Sequence, residues 1–383
     1  MKVYLDNNAT TRIAPEVFDA MLPFLTERFG NSSSFHSFGS DLMEDIEAAR
    51  EKVAALLGAH AEEIVFTSGG TESDNTALLG AVTINPLKPG LVTLKIEHPA
   101  VLEAAECIKS KGHPVGISEV NSDGTLNMSS LESFISEQTG LVSIMMANNE
   151  TGVIMPVEEA ARKAHEAGAL FHTDAVQAVS KIPLDVRLMD IDMLSISAHK
   201  FHGPKGVGAL FIRKGIEIPP FMLGGHQEKG MRAGTYNTAG IVGLGVAAEL
   251  AIKHLLEKNG GTGLLLERLE SGILEKCPGA VIAGADADRL PNTATVLFRG
   301  VESEAAMTLL DIEGICVSSG SACSTGEESP SYVLTAMGID TVDANTALRF
   351  SLSRYTTGRE IDYVLEVLPP IIEKLRDISP YAK

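Results

Sequence analysis

Phe-His-Thr-Asp-Ala-Val-Gln (171–177) and Ser-Ile-Ser-Ala-His-Lys-Phe-His-Gly-Pro-Lys-Gly (195–206) decide how this chain is read. Each follows a short apolar, β-prone run, and each delivers a chemically loaded residue, Asp174 and Lys200. Strand ends are where open α/β sheets present ligand-binding groups. One amine and one buried carboxylate are what pyridoxal phosphate asks of a protein. The amine forms a Schiff base with the cofactor aldehyde, and the carboxylate keeps the pyridine nitrogen protonated so that the ring accepts electrons. Taken alone, the pair fits a surface lysine and a helix-capping aspartate equally well.

Outward from these runs, strand and helix signals alternate from residue 15 to residue 260. Pro15 opens a helix that ends near Gly30, and LMEDIEAAREKVAALLG (42–58) is an amphipathic helix stopped by Gly58. EIVFT, LVTLKI, LVSIMMA and ALFHTDA read as strands, with helices TESDNTALLGAV, PAVLEAAECIKSKG and VEEAARKAHEAG between them. Apolar strands alternating with amphipathic helices predict an α/β fold with a mostly parallel sheet covered on both faces. A long helix at 240–257 is broken by Asn259-Gly260-Gly261-Thr262-Gly263, and beyond it the pattern changes to a smaller α+β unit. The expected division is a large cofactor-binding domain, 15–259, and a small domain made of 1–14 and 260–383. The N-terminal segment is too short to fold alone and is expected to lie against the small domain.

The 383 residues suit two domains better than one core. A hydrophobic content of 44% with 21% charged residues describes a globular chain and not a disordered one. Fifty acidic against 31 basic residues give a net charge of −19, which repels polyanions and argues against a nucleic-acid partner. No apolar run is read as approaching the ~20 residues that span a bilayer, so no membrane role is expected. The start, Met-Lys-Val-Tyr-Leu-Asp, has no signal-like region, and a cytoplasmic location is the expectation. Cys107, Cys277, Cys316 and Cys323 form no Cys-x-x-Cys pair, so no metal is expected at the site. Cys323 stands apart, between Ser319-Gly320-Ser321-Ala322 and Ser324-Thr325-Gly326, where a buried structural thiol is out of place.

Other candidates fall at strand-to-helix corners. Ser68-Gly69-Gly70-Thr71 offers the backbone donors that phosphate finds at a helix start. Ser197 and His199 stand where they can add donors to the same phosphate. His98, in Glu-His-Pro, can lie on a cofactor ring and move protons near neutral pH. Asn148-Asn149-Glu150-Thr151-Gly152 ends another strand, and Gln177 follows Asp174 by three residues.

The motifs YLDNNATTR (4–12), EIVFTSGGTESDN (63–75), EHPAVL (97–102), ANNETG (147–152), FHTDAVQAV (171–179), SAHKFHGPKGVG (197–208), GGHQEKGMRAGTYN (224–237), SSGSAC (318–323) and LRFSLSRYTT (348–357) run nearly end to end. In that order and spacing they resemble the NifS/IscS-type cysteine desulfurases, pyridoxal-phosphate enzymes of the aspartate-aminotransferase fold (fold type I), and the NifS branch in particular. The resemblance implies Lys200 as the Schiff-base lysine, Asp174 on the pyridine nitrogen, Gln177 on the phenolic oxygen and His98 stacked on the ring. Gly70, Thr71, Ser197 and His199 are implied for the phosphate, joined by Thr235 from the second subunit of a homodimer. Asn149 and Arg354 are implied for the substrate carboxylate. It also implies L-cysteine as substrate, L-alanine as product and a persulfide on Cys323. That sulfur would pass to a NifU/IscU-like scaffold for iron–sulfur cluster assembly, with nitrogenase as an expected destination. A selenocysteine lyase, an aminotransferase and a catalytically silent scaffold on the same fold are the rivals, and an aminotransferase has no use for Cys323. Asn31-Ser32-Ser33-Ser34, Lys229, Met231 and the residues after Cys323 depart from the family pattern without removing a catalytic group.

Overall fold

The computed structural model describes residues 1–257, 261–319 and 330–379. Its centre is a seven-stranded sheet in the order Ile64–Thr67, Gly208–Ile212, Met193–Ser197, Leu170–Asp174, Thr139–Ser143, Gly90–Leu94, Val115–Ser118. The sheet is mixed: Gly208–Ile212 runs antiparallel to both its neighbours, and the other pairings are parallel. The strand Gly208–Ile212 returns directly from Lys200 through the tight turn at Gly203–Gly206. So short a connection permits only antiparallel pairing. The five parallel-running strands that carry candidate residues therefore end on one edge.

Both faces of this sheet are covered, as its near-continuous apolar strands require. One face packs Ile46, Val53, Leu57, Phe66, Leu94, Phe171, Ile196 and Leu244; the other packs Val65, Leu78, Leu91, Val101, Leu141 and Leu210. The helix Leu42–Leu57 stops at Gly58, which adopts φ 69° and donates its N–H to Ala54 O, a left-handed cap that glycine takes without strain. The helix Thr238–Leu256 corrects one expectation. By length and composition it is apolar enough to cross a membrane, with mean hydropathy 1.6 over an 18-residue window. Its apolarity has another use here, because it packs along Leu42–Leu57 and Pro15–Thr26. Gly245 makes that approach close: a Cβ there would come within 2.7 Å of Ala49 Cα.

A second sheet, antiparallel, has the order Ser318–Ser319, Ala347–Ser351, Thr293–Phe298, Ala280–Ile282. Leu266, Leu269, Ile273, Val296, Phe298, Phe350, Leu368 and Ile372 pack on it as a separate core. The N-terminal residues join this core: Val3–Tyr4 pairs in parallel with Ile315–Cys316, and Val3 and Leu5 are fully buried. Pro369 and Pro370 sit inside the closing helix Gly358–Ile378, whose first turn is held by a capping box between Thr357 and Glu360.

Candidate active site

Five strand ends on one edge of the large sheet converge on a cleft of about 600 Å³. Gly70 and Thr71 come from the turn after Ile64–Thr67, and His98 from the corner after Gly90–Leu94. Asn149 follows Thr139–Ser143, Asp174 and Gln177 close Leu170–Asp174, and Ser197, His199 and Lys200 close Met193–Ser197. Eight residues far apart in the chain thus line one space with Lys200.

Lys200 is tethered by its amine to the carbonyls of Asn8 (2.5 Å) and Ala9 (3.0 Å), which brings the N-terminal segment to the rim. Gln177 donates its side-chain N–H to the same Asn8 carbonyl at 3.0 Å, while its amide oxygen accepts from Lys181 Nζ at 3.1 Å. Asp174 is 6% exposed and takes the Val176 N–H on Oδ1 at 2.8 Å. Burial pushes its carboxyl up, and the Val176 N–H and Lys200 oppose that rise. His98 caps the helix Pro99–Ser110: its Nδ1 accepts the Ala100 N–H at 3.1 Å, so the neutral ring carries its proton on Nε2. Burial lowers its pKa, partly offset by Asp174. His199 is pulled down to about 4 by burial and by the charges of Lys200 and Lys205, and its Nδ1 lies 3.2 Å from Thr10 Oγ1. Both rings are neutral at pH 7.

Arg354 lies next door. It lines an adjoining pocket of about 400 Å³, between the two sheets, with Lys181, Lys200, His202, Asn292 and Ser353. Thr235 is not in the cleft lining; it sits exposed in the stretch before Thr238–Leu256. Cys323 lies outside the described residues.

These residues fit pyridoxal phosphate. The Ser68–Gly70 turn opens the helix Gly70–Ala81, whose free N–H groups and dipole suit a phosphate, with Ser197 and His199 facing them. A Cβ on Gly70 would lie 2.7 Å from Val176 Cγ2, so a larger residue would displace the wall of the cradle. Seven buried side-chain atoms among the described residues have no partner, and three of them belong to residues that line this space: Asp74 Oδ1 and Asn149 Oδ1 at the cleft and Arg354 Nε at the adjoining pocket. Buried atoms of this kind cost stability unless something polar completes them.

Some residues that build the site carry no obvious sequence signal. Asp74 lines the cleft although it sits in a helix whose buried face is itself polar, with Glu72, Ser73 and Thr76. Asn8 bonds to Asn149 O, Thr293 Oγ1 and, through its carbonyl, Lys200 and Gln177; the doubled asparagine in YLDNNATTR was its only trace. Lys181 reads as an ordinary lysine after a helix.

The class-V aminotransferase family model matches residues 3–364. A cysteine desulfurase of Cereibacter sphaeroides is 53% identical over 382 residues, covering 99% of this chain and 98% of that protein. A cysteine desulfurase NifS of Azotobacter vinelandii is 50% identical over 380 residues, covering 99% and 94%. A solved NifS-like protein superposes with a TM-score of 0.91 at 42% identity, over 99% of this chain and all of that one.

Proposed function

Since this chain belongs to the NifS-like cysteine desulfurase family, on the pyridoxal-phosphate-dependent class-V aminotransferase fold, we propose that it converts L-cysteine to L-alanine and holds the released sulfur as a persulfide on Cys323. The observation that carries this reading is the convergence of Lys200 and Asp174 in one cleft, beside a pocket that holds an unpartnered Arg354 Nε.

Bound there, pyridoxal phosphate supplies an aldehyde for an amine and a pyridinium ring that withdraws electrons from the carbon next to it. Gly70, Thr71, Ser197 and His199 would hold its phosphate, and Asp174 and Gln177 would hold the ring nitrogen and the phenolic oxygen. The Arg354 guanidinium receives the substrate carboxylate as a fork, with Asn149 beside it. Lys200 then takes the α-proton. His98, neutral with its proton on Nε2, passes a proton to the substrate side. The Cys323 thiolate bonds to the substrate sulfur while the substrate C–S bond breaks. Its electron pair stays with the carbon skeleton, which leaves as L-alanine after protonation.

The finer assignments extend the same reading. Similarity to the Azotobacter NifS supports the NifS branch. The motif resemblance extends the proposal to a homodimer with Thr235 reaching the partner's phosphate site, and to a NifU/IscU-like acceptor in cluster assembly for nitrogenase. Residues 15–259 form the cofactor-holding unit, with 1–14 and 260–383 as the smaller one, in a cytoplasmic enzyme.

The test is mass spectrometry. Brief exposure to L-cysteine without reductant should add one sulfur to Cys323 and none to Cys107 or Cys277. Cys316 and Cys323 share one tryptic peptide, so fragmentation must separate them. Extra sulfur on another cysteine would overturn the persulfide assignment and leave the cofactor assignment standing.

A further inference from the structure

The cleft floor holds more carboxyls than it has cations to balance. Asp74, on the helix Gly70–Ala81, lines the cleft beside Asp174 and is 1% exposed, with Oδ1 unpartnered. Ligand atoms of Asp74, Asp174 and His98 all lie within 4.8 Å of one another. Glu97, fully buried, adds a third carboxyl: its Oε1 takes the Met145 N–H at 2.6 Å, and its Oε2 has no partner.

The groups facing Asp74 bring little compensation. His172 Nε2 is 3.7 Å from Asp74 Oδ1, but its ring is clamped between Ser143 Oγ (2.9 Å) and Ser195 Oγ (3.0 Å). Burial drives that imidazole down to about 3, so it stays neutral. His98 is neutral for the same reason. Among the described residues lining the cleft, Lys200 is the one cation, and its amine is turned to Asn8 and Ala9. Carboxyls this close on a dry floor do not all ionise, and one must keep a proton.

The surroundings decide which. Asp174 receives the Val176 N–H and the favourable field of Lys200. Asp74 is pushed up by burial, by Asp174 and by Glu97, relieved only by the Ser195 hydroxyl. We propose that Asp74 is a positioning residue for Asp174, holding a proton so that the two carboxyls carry one negative charge between them and Asp174 is the anion that meets the cofactor ring. The proposal rests on the assignment of Asp174 to the ring nitrogen. Asp74, as a neutral acid whose oxygen lies within 4.8 Å of an Asp174 oxygen, adds no second charge beside it and so lets Asp174 stay ionised. It also spares the floor a second anion, which would have no cation of its own.

Infrared difference spectroscopy of the holoenzyme at neutral pH tests this directly. Of the protonated-carboxyl bands of the wild type, one component should disappear in Asp74→Asn and persist in Glu97→Gln. Titration of cofactor affinity against pH supplies the second readout. Asp74→Asn keeps a neutral polar group beside Asp174, so its affinity should stay within about threefold of wild type. Asp74→Leu replaces that polar group with an apolar one and desolvates Asp174 further, so the acid limb of the affinity profile should move up by about one pH unit or more. A band unchanged in Asp74→Asn, or an affinity loss in Asp74→Asn equal to that of Asp174→Asn, overturns the proposal. An unshifted acid limb in folded Asp74→Leu does the same. Should Asp174→Asn itself leave cofactor affinity untouched, it is the assignment of Asp174 that fails.

Discussion

The cofactor cleft and the pocket beside it share Lys200 and are otherwise opposites. The cleft floor is acidic, with Asp74, Glu97 and Asp174 buried behind it. The adjoining pocket is basic, lined by Lys181, His202, His254 and Arg354. Burial acts on both with opposite sign: it raises the pKa of Asp174 and lowers those of Arg354 and Lys181. Each region thus pays a desolvation cost that a ligand of the opposite charge would recover. A cationic ring nitrogen suits the first and a substrate carboxylate the second, with the one amine common to both standing between. In the proposed function this separation of charge would orient the amino-acid substrate in the site.

The sharpest way to break that picture is at the shared residue. Lys200→Ala should abolish turnover and the visible absorbance of the holoenzyme, since no other amine lines the cleft among the described residues; an active, coloured variant would dissolve the distinction between the two regions. Next comes the acidic side. Asp174→Ala should slow turnover by roughly a thousandfold, equivalent to about 4 kcal/mol of transition-state stabilisation, as single-turnover kinetics would show. A loss of a few-fold would mean that the acidic floor is only structural.

The basic side should answer differently. Arg354→Ala should raise KM for L-cysteine by roughly thirtyfold, about 2 kcal/mol, with the resting absorbance spectrum unchanged. An altered spectrum at unchanged KM would move Arg354 out of the substrate pocket. The smallest effect belongs to Lys181. Desolvation, with the nearby charges of Lys200 and Arg349, pulls its ammonium down to about 7. It is therefore charged below that pH and neutral above it, so KM for L-cysteine should rise about threefold as pH increases through neutrality. Lys181→Met should lack this step and keep the high-pH KM throughout. A step that persists in the variant belongs to another group.

Much of this was legible in the chain because it is locally encoded. Helix starts and stops at Pro15 and Gly58, the apolar strands and the strand-end motifs each depend on a few adjacent residues. The strands Val115–Ser118 and Gly208–Ile212 were not foreseen. The first is short and only partly buried, and the second lies inside a segment dominated by glycine and lysine signals. The apolarity of the helix Thr238–Leu256 is masked in the sequence by Glu249, Lys253 and His254, which interrupt the apolar run.

By itself the sequence determined the alternation of elements, the identity of Lys200, Asp174, His98, Gly70 and Thr71 as strand-end groups, and the family. Those properties depend on residue type and spacing, which the chain carries openly. Only the tertiary structure decided that Arg354 faces a pocket separate from the cleft floor, that Lys181 fixes the Gln177 amide, and that Asn8 tethers both Gln177 and Lys200. It also decided that Asp74 stands beside Asp174. A polar residue in a helix is ordinarily assigned to the wet face, and its charge state depends on which groups surround it. Desolvation and Coulomb forces act through space between residues a hundred positions apart, so no local pattern records them.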